Sequence, residues 1–120
     1  MKKNILILIL ITLLLCGCGS SNKTTNNFKI NGIEAKEKIK NGAILLDVRT
    51  KEEYDEHHIE GAILLSIDSM NSETVANVFP NKESVIIVYC RSGNRSASAL
   101  TILRNLGYTN VYDLGSINNW

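Results

Sequence analysis

Between Phe28 and Trp120, short apolar runs alternate with amphipathic stretches, and polar turn residues separate them. The runs Ala43–Asp47, Ala62–Leu65, Val85–Tyr89 and Asn110–Leu114 are short, aliphatic or β-branched, and read as strands. Lys29–Ile30 adds a short opening strand. Apolar residues recur at helical spacing in Ile33–Lys40, which Asn41-Gly42 closes. Thr50 with Glu53 three residues on is a capping-box pattern, so a helix over Glu52–His57 is expected. A further helix over Ser69–Phe79 stops at Pro80. In Ser96–Leu106 the apolar positions Ala99, Ile102, Leu103 and Leu106 fall at i, i+3, i+4 and i+7, with Gly107 as the stop. Strands alternating with helices predict an α/β fold: a central parallel sheet of about five strands, with helices on both faces.

The first residues follow another pattern. Met1-Lys2-Lys3 is basic, and Asn4–Leu15 is almost wholly apolar. A membrane-spanning helix needs roughly 20 apolar residues, so this stretch fits a signal-peptide core better. It ends in Leu15-Cys16-Gly17-Cys18, which resembles the lipobox of bacterial lipoproteins. That resemblance implies a signal peptide over residues 1–17 and a lipid on Cys18, the new N-terminus. Residues 18–27 would then be a lipidated, polar tether, and 28–120 one small domain on the extracytoplasmic face of a membrane. Cys16 leaves with the signal, so Cys90 is the one free thiol of three cysteines. An unpaired thiol in an exported protein points to reactivity. Charge excludes little else, but 13 basic residues against 12 acidic, with no basic run, give no sign of a nucleic-acid partner. No protein partner can be read from the sequence.

Cys90 follows an apolar strand and precedes Arg91-Ser92-Gly93-Asn94-Arg95-Ser96 and a helix. A loop between a strand end and a helix N-terminus turns several backbone N–H groups and the helix dipole toward one point. Such a place favours a thiolate, or an anion beside it. Gly93 permits the positive φ of the curl, and the Ser92 and Ser96 hydroxyls are further donors. Arg95 closes the loop or meets an anionic donor, and Arg91 recruits anions.

Leu46-Asp47-Val48-Arg49, Glu53-Tyr54 and His58-Ile59-Glu60-Gly61-Ala62 resemble the first signature of single-domain rhodaneses, a sulfurtransferase family. Cys90–Ser96 resembles that family's active-site loop, and Gly107-Tyr108 through Val111-Tyr112-Asp113-Leu114 to Gly115 and Trp120 resembles its closing signature. One departure is His57, where the family usually has Gly.

The resemblance implies a rhodanese-like fold and a sulfurtransferase. Cys90 would carry a persulfide between a small anionic sulfur donor, such as thiosulfate, and a thiol or cyanide acceptor. Arg91, Ser92, Gly93, Asn94, Arg95 and Ser96 would form the substrate cradle, with Asp47, Arg49 and His58 in support. The chemistry needs neither metal nor cofactor, because sulfite is a stable leaving group. Two alternatives remain open: a non-catalytic binding or sulfur-sensing module, and a cysteine phosphatase or arsenate reductase. The phosphatase loop is one residue longer than Cys90–Arg95, which suits a tetrahedral oxyanion better.

Overall fold

The computed structural model describes residues 27–120, so the signal peptide, Cys18 and almost all of the tether lie outside the described residues. Four strands form one sheet: β1 (Ile44–Asp47), β2 (Ile63–Leu64), β3 (Val85–Cys90) and β4 (Asn110–Ser116). Their order is β2-β1-β3-β4, and every pairing is parallel. The helices are α1 (Gly32–Lys40), α2 (Lys51–Glu56), α3 (Ser72–Val78) and α4 (Asn94–Asn105). No described helix is long and apolar enough to cross a membrane.

The expected fifth strand is reduced to one bridge. Lys29 pairs with Asp113, held by Ile30 N–H to Asp113 O at 3.0 Å and Asp113 N–H to Phe28 O at 2.7 Å. Extended structure stops there because Asn31 caps α1, its side chain accepting from Glu34 N–H at 2.8 Å. Helix ends also move by a few residues. α4 starts at Asn94 rather than Ser96, and α3 spans Ser72–Val78 because Asn71 and Thr74 form a capping box. The box expected at Thr50 and Glu53 caps α2.

Alternation along β3 divides the core. Ile86, Val88 and Cys90 face α3 and α4 with Leu46, Val75, Ala99 and Leu103. Ile87 and Tyr89 face the other way, with Ala35, Leu45, Ile59 and Leu114. A buried central strand therefore delivers consecutive residues to opposite layers, and Tyr89 and Cys90 emerge at its carboxyl end.

The end of the described chain folds back onto α1. A Cβ on Gly32 would stand 2.3 Å from Asn119 O, a backbone atom with little room to move. Gly32→Ala is therefore expected to destabilise the domain by ~1–3 kcal/mol through overpacking, despite alanine's better helix propensity. A Tm lowered by several degrees in thermal denaturation checks this.

Candidate active site

Two glycines shape the loop after β3. Gly93, the N-cap of α4, has φ +103° and offers no capping side chain. A Cβ at 93 would rest in ordinary contact, 3.7 Å from Gly115 Cα, so the backbone conformation rather than space calls for glycine. Gly115 follows a bulge: Val88 pairs with Asp113 but Tyr89 with Gly115, so Leu114 is passed over. Ser116 then donates through Oγ to Arg91 O at 2.7 Å, tying the first loop residue to β4.

The missing helix cap is replaced by sulfur. Cys90 Sγ accepts from Gly93 N–H at 2.9 Å and from Ser96 N–H at 3.3 Å. Helix N-termini leave such donors without intrahelical partners, and here they converge on the thiol. Cys90 is 0% exposed, packed among Val88 and Ala99 on one side and the loop on the other. Burial pushes the thiol's pKa up, but the Ser96 hydroxyl and the amides of Ser96, Gly93 and Ser92 lower it by more. Cys90 therefore titrates below an ordinary thiol. The Ser96 hydroxyl has one proton, which can turn to the sulfur or to Gly93 O at 3.0 Å. The amides are the fixed donors, and the hydroxyl either joins them on the sulfur or braces the loop that aims them. Ser96→Ala is expected to move the midpoint of the Cys90 alkylation rate against pH upward, toward an ordinary thiol.

The loop's charged residues have distinct surroundings. Arg95 forms a two-pronged ion pair with Glu53: Nη1 to Oε1 at 2.6 Å and Nη2 to Oε2 at 3.0 Å. Glu53 also closes the α2 capping box, so the pair locks the start of α4 to the start of α2. Arg95 lowers the Glu53 pKa from 4.5 to about 2. A depressed carboxyl pKa stabilises the fold above the unfolded value, and that contribution fades as pH falls through the folded one. Both side chains are about a third exposed, so solvent screening limits the pair to ~1 kcal/mol. Urea midpoints of the wild type should therefore fall more steeply from pH 4.5 toward 2 than those of Glu53→Gln.

Arg91 is exposed, and with Arg49, Glu53, Glu56 and His57 it lines a cavity of about 360 Å³. Ser92 and Asn94 are exposed on the loop's outer side, and Ser92 and Gly93 help line a second cavity of about 240 Å³, against Gly115 and Ser116.

Asp47 and Arg49 form a buried network behind the loop. Arg49 donates from its backbone N–H and Nε to Asp47 Oδ1 at 2.9 and 3.0 Å, and from Nη2 to Oδ2 at 2.7 Å. Arg49 Nη2 also reaches His57 O at 2.6 Å. The Tyr89 hydroxyl donates to Asp47 Oδ2 at 2.7 Å and accepts from Ile59 N–H at 3.2 Å. Burial and the Asp47 hydrogen bond raise the Tyr89 pKa far above its usual range, so it remains a donor. His58 stacks on Tyr54 with ring centroids 3.8 Å apart, and its Nδ1 lies 2.8 Å from Tyr54 O.

The structure thus brings the Cys90–Ser96 residues into one curl, joins Arg95 to α2, places Asp47 and Arg49 in a buried network with Tyr89, and stacks His58 on Tyr54. Sequence reasoning missed Tyr89 and the pairing partner of Arg95. Tyr89 does stand at the end of a buried strand, as Asp47 does, but only the β1–β3 register shows that they are neighbours.

Known proteins resemble this chain in sequence and in fold. The family model described as a rhodanese-like domain matches residues 33–120. Thiosulfate sulfurtransferase PspE of Escherichia coli is 35% identical over 62% of this chain and 70% of its own length. Thiosulfate sulfurtransferase GlpE of Coxiella burnetii is 33% identical over 77% of this chain and 85% of its own. Longer relatives also match, including an adenylyltransferase and sulfurtransferase from Ogataea parapolymorpha, of which the chain spans only 19%. A solved rhodanese with anions from Escherichia coli superposes with TM-score 0.61 and 33% identity, over 66% of this chain and 92% of that one. With a match that takes in every described helix and strand beyond Gly32, the chain belongs to the rhodanese-like family.

Proposed function

We propose that this rhodanese-like sulfurtransferase takes a sulfane sulfur from thiosulfate or a persulfide onto Cys90. It then passes that sulfur to a thiol or to cyanide. The observation that carries this reading is the pair of amide hydrogen bonds onto Cys90 Sγ, with the lowered pKa that accompanies them. The Cys90 thiolate attacks the outer sulfur of thiosulfate. One S–S bond forms, the donor's own S–S bond breaks, and sulfite leaves with the electron pair. The persulfide anion carries its charge one sulfur further out, beside the N-terminus of α4, whose dipole favours an anion there. Cyanide then takes the outer sulfur as thiocyanate and returns the thiolate.

The second part of the proposal is the anchor: a lipid on Cys18 holds the domain at the extracytoplasmic face of a membrane. Support for it comes from the basic start, the short apolar core and Leu15-Cys16-Gly17-Cys18.

Thiocyanate formation from thiosulfate and cyanide tests the first part. A purified chain that yields none, or that hydrolyses an aryl phosphate through Cys90, contradicts the sulfurtransferase reading in favour of the phosphatase alternative or a binding module. For the anchor, globomycin should block processing, and Cys18→Ser should move the chain out of the acylated membrane fraction.

A further inference from the structure

Exposed apolar surface is concentrated where α1 begins. Ile33 is 82% exposed, far beyond any other large apolar residue among the described ones, and Trp120 is 38% exposed. Ile33, Lys36 and Lys40 recur at i, i+3 and i+7, which puts them on one face of α1. Trp120 joins that face, because Lys36 Nζ lies 4.9 Å from the centre of its ring. Lys38 borders it, lining a shallow groove with Ile33, Glu34 and Glu37, its Nζ 4.0 Å from the Tyr112 ring centre. Of the two α1 acids, Glu34 is drawn back to the helix start by Asn31 Nδ2 at 3.2 Å, while Glu37 shares the exposed row. Three lysines of α1 thus stand with two acids around an isoleucine and a tryptophan.

The chain leading to this face bears on its occupant. Whatever its conformation, the stretch from Cys18 to Asn27 reaches at most ~32 Å. Ile33 follows only a few residues later. A lipid on Cys18 would hold the face near a bilayer at an effective concentration on the order of millimolar, so weak local affinity suffices. An apolar side chain, an indole and snorkelling lysines are the elements that settle at a membrane interface, and lysines favour anionic lipid.

The face also lies at the active end of the sheet. Gly32 packs against Asn119 O, and the 117–119 turn follows β4 directly. Ser116, the last residue of β4, pairs with Cys90 and bonds Arg91 O.

We propose that the face formed by Ile33, Lys36, Lys40 and Trp120 rests on an anionic bilayer, so that the Cys90 loop works at the membrane surface. This inference rests on the Cys18 anchor proposed above. Trp120 is the single tryptophan and reports on its own contact. The test uses the full acylated chain in vesicles of phosphatidylcholine, with or without phosphatidylglycerol. In the anionic vesicles Trp120 emission shifts to the blue and acrylamide quenching falls by about half, and high salt weakens both effects. Ile33→Glu and, independently, Lys36→Glu restore solvent-like quenching while thiosulfate turnover is unchanged. Equal quenching of wild type and Ile33→Glu in vesicles that carry the chain overturns the face alone. So does a blue shift that arises without lipid, which marks a second copy of the chain as the occupant. A chain that fails to float with the vesicles overturns the anchor, and this inference with it.

Discussion

Cys90→Ser is expected to lower thiocyanate formation at least about a thousandfold while leaving the fold intact. The Ser hydroxyl can accept the same Gly93 and Ser96 amides, so the loop keeps its curl. It cannot form a persulfide, and an alcohol stays protonated where the Cys90 thiol, lowered by those amides, ionises. Structural cost is small, because the exchange swaps one buried atom in a packed layer. Steady-state kinetics beside a thermal melt separate the two effects. Turnover within tenfold of wild type would remove Cys90 from the chemistry.

The largest effect on stability is expected at Asp47, whose side chain is 0% exposed. Its two oxygens accept from the Arg49 backbone, the Arg49 guanidinium and the Tyr89 hydroxyl. Asp47→Ala leaves a buried guanidinium without its counter-charge and a buried phenol without an acceptor. Breaking a buried pair in this way costs ~3–5 kcal/mol, against a total stability of ~5–15 kcal/mol for a small domain. At ~4–8 °C per kcal/mol, Tm should fall by more than about 12 °C. Asp47→Asn retains one acceptor oxygen and should lose less. Well below the melt, each variant should keep thiosulfate turnover to within about tenfold, because the network supports the loop from behind. A Tm within ~4 °C of wild type for Asp47→Ala would mean the network holds nothing together.

What could be read from the sequence was local. Val85–Tyr89 declared itself by being apolar throughout, since a central parallel strand is covered on both faces. Thr50 and Glu53 gave the α2 cap, and Gly93 marked a turn that needs positive φ. Where elements from distant parts of the chain meet, one sequence carries no register. Tyr89 meets Asp47, and Arg95 meets Glu53, across 42 residues each. The bulge that passes over Leu114 and sets Gly115 against Gly93 depends on strand pairing, not on the β4 sequence. The fifth strand failed for a competing local reason: the Asn31 cap turned the chain into α1 before a ladder could grow. Gly32 could not be singled out, because its need for a bare backbone comes from Asn119, at the far end of the chain.

Intact-mass measurement after brief exposure to thiosulfate tests the central claim most directly. One chain should gain about 32 Da, a single sulfur atom, mapped to the peptide carrying Cys90 and discharged by cyanide. Cys90→Ser should gain nothing. An unmodified wild-type chain whose Cys90 is still reduced and open to alkylation would contradict the persulfide, and with it the role given to the Gly93 and Ser96 amides.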